Sequence, residues 1–422
     1  MPLLAKLGDI HGHKRMLVVA AALVASGSVI VAVAPNFTAL LIGRVLQGAI
    51  TAFLPLEFAI MRERAGDRAG RAIGMLIGSL TIGASLGMLL AGIAREHLSL
   101  TATLWIPAAL MIVVTVLMIP FVPETKVRKS GGVDWLGAAL LGGGLVLFLG
   151  AVGNGVRWGW FDARTLIGTI GGVALLGLWV HVEGRVTQPL VNLDLIRTRE
   201  GGLPLLLAFI FGAHLFGSAA PNAVFLGLDP SVTGGYGLGL AGTALGSALL
   251  VLSASMFVGT VAASRLRSSI GATATMVVGA LLSCASYLAT AAFHSDLATF
   301  LVWQGGLGLG GGLVAAVLPT IIVERAPRDS VGIVSGLYNT ARTAAGSVAG
   351  AVFAAVMTAL VISVPGKAGT TAAIASESAF VVVWIICSTL ALAFVVLTIV
   401  SARTGVEGSA RRSQSSIDCN HQ

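Results

Sequence analysis

Several ionisable side chains lie within long apolar stretches of this 422-residue chain, where a charge is costly. Arg44 and Glu57 lie in the stretch 38–60, His214 in 203–226, and Arg342 in 333–362. Such residues are candidate functional sites, since a buried acid can exchange its proton with a solute or a neighbouring cation. No nucleophile motif, Cys/His metal spacing or phosphate-binding loop accompanies them. The sequence therefore predicts neither an enzyme nor a metal or cofactor site.

The apolar stretches that carry these residues are long enough to cross a bilayer as helices, which takes about 20 residues each. Twelve stretches meet this length: 14–34, 38–60, 72–94, 102–121, 134–153, 163–182, 203–226, 238–262, 270–293, 297–322, 333–362 and 378–401. Hydrophobic residues make up 56% of the chain and charged residues 10%, with a mean hydropathy of +0.94. The sequence therefore predicts an all-α polytopic membrane protein with the lipid bilayer as its surroundings.

The net charge of +8 is an orientation signal rather than a sign of nucleic-acid binding. Most of the 26 Lys and Arg residues lie on alternate connections, beginning with Lys14 and Arg15 and continuing with Arg62 to Arg71. Basic connections stay on the cytoplasmic side of a membrane. The sequence thus predicts that both termini are cytoplasmic and that the chain binds no nucleic acid.

The first connection carries a compact charged motif that comprises Gly8, Asp9, Gly12, Lys14 and Arg15. Its glycines permit a tight turn, which would hold the acid among cations near a helix end. Such a cluster can hold one end of a two-state membrane protein closed. An ordinary charged loop with a turn glycine is the alternative interpretation.

This connection resembles the loop between the second and third helices of the major facilitator superfamily, with Ala5, Ile10 and His13 as departures from the family pattern. Arg44, Gln47 and Gly48 resemble the R-x-x-Q-G motif of that family's fourth helix. The resemblance implies a functional Arg44, whereas an arginine that reaches the membrane surface is the alternative.

A glycine series in the stretch 72–94 resembles the antiporter motif of the family's fifth helix. Gly74, Gly83, Gly87 and Gly92 keep its spacing, whereas Met88 replaces a proline and Ala91 a glycine. A role in antiport and a plain packing groove of small residues are both consistent with this pattern.

The order of these motifs implies that the chain starts after the family's first helix and nearly all of its second. The resemblance then implies a major facilitator-type bundle with 12 of a probable 14 helices, as in the drug:proton antiporter branch. Four segments follow: 1–125 as the remainder of the N-terminal half, 126–185 as a central two-helix insertion, 186–402 as the C-terminal six-helix half, and 403–422 as a disordered cytoplasmic tail.

The resemblance implies a monomeric secondary transporter of a bacterial inner (plasma) membrane, which exports drug-like or amphiphilic small molecules by alternating access, coupled to protons. A truncated, transport-inactive membrane protein is the alternative. Glu57 is a candidate for proton coupling, although an ion pair with the nearby Arg62 or Arg64 is also expected. A second set of polar residues is expected to line a cavity or to join helices: His214, Asn222, Gln304, Asn339 and Arg342.

Overall fold

The structure is a computed structural model that describes residues 2–125, 132–186, 189, 193, 199–325, 331–365 and 371–419. Its α-helices are α1 Pro2–His11, α2 His13–Val33, α3 Phe37–Gln47, α4 Phe53–Ala65, α5 Ala69–His97, α6 Leu100–Phe121, α7 Trp135–Trp158, α8 Ala163–Glu183, α9 Arg199–Gly217, α10 Ala219–Gly227, α11 Pro230–Thr233, α12 Gly242–Ile270, α13 Ala272–Ala292, α14 Leu297–Arg325, α15 Val331–Ala359 and α16 Glu377–Cys419. Short 3₁₀ segments, Gly48–Ala52 and Gly66–Arg68, flank α4.

Eleven helical segments of the described residues are long and apolar enough to span a membrane, so the structure is that of a polytopic membrane protein. The predicted span 72–94 lies within α5, where only the shorter segment Ala69–Ala84 meets the composition of an apolar helix. The total of 12 helices out of 14 therefore stays a prediction. The four predicted segment boundaries also stay predictions, and residues 126–131 at one of them lie outside the described part of the chain.

Two of the predicted spans are broken helices, and a third starts later than expected. The span 38–60 consists of α3 and α4 with the 3₁₀ segment between them, and α9 and α10 meet at Ser218. Helix α12 begins at Gly242 rather than at residue 238, and it ends at Ile270. The preceding residues 234–241 include four glycines with positive φ, which is a loop conformation that other residues rarely adopt.

A β-hairpin corrects the all-α class predicted from the sequence. Strands β1 Val361–Pro365 and β2 Thr371–Ala375 pair antiparallel, with Val361 opposite Ala375. The predicted span 333–362 therefore ends at Ala359. The β-branched residues Val361, Ile362 and Val364 favour a strand over a further helical turn.

Helix α16 continues to Cys419, where the sequence predicts a disordered tail over 403–422. Once a helix has been nucleated, each further residue adds a hydrogen bond without a new nucleus, so the backbone of a polar tail can extend it. Residues 420–422 lie outside the described part of the chain.

Helix α14 is the enclosed centre of the second half of the chain. In its most apolar window 83% of the residues are buried, against 6% in the window of α6. Small residues allow its neighbours to approach this closely: Gly308 and Gly312 lie against the backbone of α12, and Gly306 and Gly310 against α13. A methyl group added at Gly279 of α13 would lie 2.7 Å from the Gly310 carbonyl oxygen. The glycine-rich segment 305–312 is thus a packing surface on two sides of one helix.

The two halves of the chain meet along several helix pairs. Helix α5 packs against α12, and α1 and α4 pack against α15. The hairpin formed by α7 and α8 also contacts α15, through Leu141, Leu145 and their neighbour Leu337. Helix α15 therefore contacts the first half, the central hairpin and α9 of its own half.

The crossing of α14 with α12 gives a test of this packing. In the Gly312→Val variant the added side chain would overlap Met256, whose carbonyl oxygen belongs to a helix backbone and cannot rotate away. Overpacking of this kind costs about 1–3 kcal/mol. We expect a lower unfolding temperature and less monodisperse protein in size-exclusion chromatography.

The matched control is Gly350→Val in α15, where a methyl group would have no heavy atom within 4 Å. We expect that variant to unfold within a degree or two of the unmodified chain. An equal decrease in the unfolding temperature of Gly312→Val and Gly350→Val would contradict the close contact between α14 and α12.

Candidate functional site

The charged motif of the first connection forms a buried cluster at the end of the bundle that carries the basic connections, here called the basic end. The His13 Nε2 atom lies 3.0 Å from the Asp9 Oδ1 atom, and both side chains are buried. The His13 Nδ1 atom lies 3.0 Å from the Thr125 Oγ1 atom, just beyond α6. The motif therefore joins α1 to α2 and both of them to the end of α6.

Glu124 also joins several elements at the basic end. Its Oε1 atom accepts hydrogen bonds from the backbone N–H of Lys14 at 3.1 Å and of Thr125 at 3.1 Å. Arg15 lies 3.9 Å from the Glu124 Oε2 atom, and Arg64 donates to the Glu124 carbonyl oxygen at 2.7 Å. The acid of the motif thus pairs with a histidine, while Lys14, through its backbone N–H, and Arg15, through its side chain, lie against a glutamate that the motif itself does not contain.

Each of the two motif glycines lies against a side chain of another helix or connection. Gly12 adopts φ +107°, and a methyl group there would lie 2.7 Å from the Glu124 Oε1 atom. A methyl group at Gly8 would lie 2.5 Å from the Leu56 Cδ2 atom of α4. The two positions accept glycine for different reasons, backbone conformation at Gly12 and contact with α4 at Gly8.

Arg44 begins a short hydrogen-bonded chain that links α3 to α2. Its Nη1 atom donates to the Gln47 Oε1 atom at 3.2 Å, and the Gln47 Nε2 atom donates to the Ser28 hydroxyl at 3.0 Å. Gly48 opens the 3₁₀ segment directly afterwards. The arginine itself is exposed, whereas Gln47 is half-buried. The structure therefore places the guanidinium at a surface of the bundle and fixes it through Gln47.

Glu57 lies half-buried on α4, more than one helical turn before Arg62 and Arg64 at the end of that helix. Among the described residues, no Lys, Arg or His lies within ion-pairing distance of its carboxylate. Arg64, an expected partner, donates instead to the Glu124 carbonyl oxygen. The structure thus separates Glu57 from the charged cluster that surrounds Glu124.

Two of the polar residues predicted for a cavity are buried together in the second half. The Asn222 Nδ2 atom donates to the Gln304 Oε1 atom at 3.5 Å, and the Trp384 Nε1 atom donates to the Asn222 Oδ1 atom at 2.9 Å. These contacts join α10, α14 and α16. Asn222 and Gln304 are 3% and 5% exposed, so in this structure they join helices and do not face open space.

His214 is also buried, at 2% exposure, and its ring meets Phe211 and Tyr287 edge-on. Its Nδ1 atom has no hydrogen-bond partner among the described residues. Its backbone carbonyl accepts from the Tyr287 hydroxyl at 2.7 Å. His214 is therefore a core residue of α9 in this structure.

Asn339 and Arg342 lie about one helical turn apart on α15, and their side chains contact each other. The Asn339 Nδ2 atom donates to the Thr51 carbonyl oxygen at 3.2 Å, a direct contact between the two halves. Arg342 donates to the Asn339 Oδ1 atom at 2.9 Å, and its guanidinium lies over the Phe216 ring at 5.1 Å. The aromatic face compensates part of the cost of placing this cation in an apolar span.

The glycine series of α5 is not tightly packed. A methyl group at Gly74, Gly83 or Gly87 would meet no heavy atom within 4 Å, and one at Gly92 would lie 4.0 Å from the Thr243 Cα atom. The packing-groove interpretation therefore receives no support at Gly83 and Gly87 in this structure.

At the end of the bundle opposite the basic end, Glu96 joins α5 to α12. Its carboxylate accepts a hydrogen bond from the Thr243 N–H at 2.6 Å and another from the Thr243 hydroxyl. These hydrogen bonds lower the pKa of Glu96, and the nearby His97 lowers it further. Because α12 has no side-chain cap of its own, a carboxylate of the other half satisfies its first turn.

Sequence reasoning missed an open space between α7 and α15, here called the hydroxyl cleft, with a volume of about 340 Å³. One wall is a row of polar residues on α15, and the facing wall is an apolar face of α7. The lining residues are Leu3, Thr51, Ala138, Leu141, Gly142, Leu145, Leu149, Thr340, Thr343, Ala344 and Ser347. The i, i+3 and i+7 spacing of Thr340, Thr343 and Ser347 is the signal that could have identified the polar wall.

The basic end gives a second test. Both Gly12 and Gly66 have positive φ, at +107° and +51°, so an alanine strains the backbone at either position. Only at Gly12 does the added methyl group meet the Glu124 carboxylate, since Gly66 has open space around it. We expect Gly12→Ala to lower the unfolding temperature more than Gly66→Ala. If Gly66→Ala lowered the unfolding temperature as much as Gly12→Ala or more, the contact between residue 12 and Glu124 would not contribute to stability.

The Glu96 contact should depend on pH. Because its folded-state pKa lies below the ordinary value of 4.5, the contact stabilises the fold above pH 4.5 and is lost as the pH falls through the folded-state pKa. We expect Glu96→Gln to unfold at a lower temperature than the unmodified chain at pH 7, with a difference that narrows below pH 4.5. The test compares unfolding temperatures from pH 7 to pH 3.5. A difference that stays constant over this range would mean that the carboxylate charge has no role.

Known membrane transporters are similar to this chain in sequence. A sequence model of the Major Facilitator Superfamily matches residues 1–350. The Tetracenomycin C resistance and export protein of Streptomyces glaucescens is 28% identical over 353 residues, which cover 81% of this chain and 63% of that protein. The Cephamycin export protein CmcT of Amycolatopsis lactamdurans is 28% identical over 385 residues, which cover 88% and 76%. The Multidrug resistance protein Stp of Mycobacterium tuberculosis is 23% identical, with 84% and 65% covered.

Solved structures show the same fold. The human organic anion transporter MFSD10 matches with a TM-score of 0.64 at 17% identity, over 94% of this chain and 79% of that one. The nucleoside transporter NupG matches with a TM-score of 0.56 at 14% identity, over 95% and 86%. The chain spans just under two thirds of the length of the tetracenomycin exporter and of Stp. The family model, which matches most of the chain, and the helical architecture together show that this protein belongs to the Major Facilitator Superfamily of membrane transporters.

Proposed function

We propose that this protein is a secondary transporter that exports drug-like or amphiphilic small molecules across a bacterial plasma membrane. The observation that carries the proposal is the family match over residues 1–350, together with relatives whose names describe export of, or resistance to, antibiotics. The export proteins for tetracenomycin C and cephamycin are similar to this chain over more than four fifths of its length.

The contacts between the halves are consistent with alternating access. The Asn339 side chain donates to the Thr51 carbonyl oxygen near the middle of the span Phe37–Ala65, and the Glu96 carboxylate accepts from Thr243 at the end opposite the basic end. The two halves are thus joined at different depths by polar contacts that can break and re-form. We further propose that both termini face the cytoplasm, since the basic connections lie on one end of the bundle.

Proton coupling is the finer part of the proposal, and Glu57 is its candidate. The carboxylate is half-buried and has no basic partner within ion-pairing distance among the described residues. A carboxylate without a fixed cation can gain and lose a proton as its surroundings change. Glu57→Gln should therefore abolish transport driven by a proton gradient but retain downhill movement of substrate.

Arg44 gives the sharpest test of transport. The chain is expressed in a bacterium that lacks its main efflux pumps, and the retention of a fluorescent amphiphilic dye is measured. We expect the unmodified chain to lower dye retention and Arg44→Ala to restore it to the level of cells without the chain. The physical reason is that the Arg44–Gln47–Ser28 chain loses its charged donor.

The matched control is Arg157→Ala, which removes an exposed arginine at the end of α7. Membrane fractions are blotted to show that all variants insert equally. Normal dye export by Arg44→Ala would refute the role of Arg44. Failure of the inserted, unmodified chain to lower dye retention would refute export by these 422 residues and favour the transport-inactive alternative.

A further inference from the structure

We propose that the hydroxyl cleft between α7 and α15 binds a neutral, mostly apolar molecule that carries a hydrogen-bond donor. None of the residues predicted from the sequence to line a cavity contributes to this cleft. The inference rests on the proposed export function only where it identifies the bound molecule as cargo. The site itself is argued from the walls of the cleft.

The size and chemistry of the walls define the ligand. A volume of about 340 Å³ falls in the range of small-molecule sites, which runs from about 300 to 1,000 Å³. Leu141, Leu145 and Leu149 form an apolar wall, and none of the described residues that line the cleft is ionisable. A charged ligand group would lose its hydration there without gaining a counter-ion, so the walls favour a neutral molecule.

The polar wall selects for a donor on the ligand. The hydroxyl of Thr343 donates to the Asn339 carbonyl oxygen at 2.8 Å, that of Ser347 donates to the Thr343 carbonyl oxygen at 3.1 Å, and that of Thr51 donates to the Gly48 carbonyl oxygen at 2.7 Å. Each hydroxyl hydrogen is therefore engaged within its own helical segment. The oxygens keep lone pairs that can accept a hydrogen bond from a ligand.

The position of the cleft connects it to movement of the bundle. Thr51 belongs to the first half, the leucine wall to the central hairpin, and Thr343 to the second half. The Asn339–Thr51 hydrogen bond crosses between the halves at the edge of the cleft. A ligand in the cleft therefore touches all three segments of the chain at once.

Two glycines of α7 supply a matched pair of variants. A methyl group at Gly142 or at Gly150 would meet no heavy atom of the described residues within 4 Å, so neither position is closed to a side chain at its Cβ atom. Gly142 lines the cleft, whereas Gly150 does not. Tryptophan at residue 142 should fill the cleft, and tryptophan at residue 150 should leave it empty.

The experiment measures binding of N-phenyl-1-naphthylamine, a neutral fluorescent amine with one N–H donor, to the purified 422-residue chain in lipid nanodiscs. Its N-methyl analogue, which lacks the donor, is the comparison ligand, and empty nanodiscs correct for partition into lipid. We expect saturable binding of the amine, several-fold tighter than that of the analogue. Gly142→Trp should weaken binding at least tenfold, and Gly150→Trp should change it less than twofold.

A milder variant guards against misfolding at residue 142. Thr343→Val keeps the shape of the side chain and removes the acceptor oxygen, so it should reduce the preference for the amine over its analogue by about fivefold and leave binding of the analogue unchanged. Equal binding by the two tryptophan variants, or no preference for the amine in the unmodified chain, would overturn the proposed site.

Dye retention in cells separates the site from the export function. Cleft-dependent binding in nanodiscs without export in cells supports the site and refutes the proposed transport. Export in cells that Gly142→Trp leaves unchanged, together with unchanged binding, refutes the site and supports transport through another cavity.

Discussion

Polar groups within the hydrocarbon of a bilayer have no water to bind, and this constraint explains most of the side-chain hydrogen bonds in this protein. Hydroxyls of Ser28, Thr320 and Thr398 donate to the carbonyl oxygen four residues earlier in their own helices. The donor and acceptor groups of the Asn222 amide find their hydrogen-bond partners outside its own helix, in Gln304 and Trp384 of two other helices. These polar residues are therefore either bonded within their own helix or joints between helices.

Close backbone approach is the second condition of the fold, since apolar side chains gain little from leaving lipid for a protein interior. Packing contacts between helices must supply the stability instead. Helix α14 meets this condition with glycines on opposite sides, Gly308 and Gly312 toward α12 and Gly306 and Gly310 toward α13. Glycines also allow close approach where Gly27 of α2 meets Gly43 of α3. A methyl group added at Gly27 would lie 2.6 Å from the Gly43 carbonyl oxygen.

The sequence predicts the helical membrane architecture well, because the spans depend on length and hydropathy, which are properties of a single segment. It also predicts the turn at Gly12, which the structure places between α1 and α2 with a positive φ. The role of Glu124 was beyond its reach, since Glu124 lies 110 residues beyond Lys14, whose backbone N–H donates to its side chain. The roles of Asn222 and Gln304 depend on which face of a helix is enclosed, and an apolar helix buried on most sides carries little periodicity to show this.

The central hairpin ties the candidate sites of this structure together. Helix α7 packs against α15, and α15 also meets the first half through Asn339 and Thr51. A change in the angle between the halves would therefore move Thr51 relative to Thr343 and change the width of the hydroxyl cleft. Cleft width and the Asn339–Thr51 contact are thus linked through one helix, α15, so binding in the cleft would bias the relative movement of the two halves.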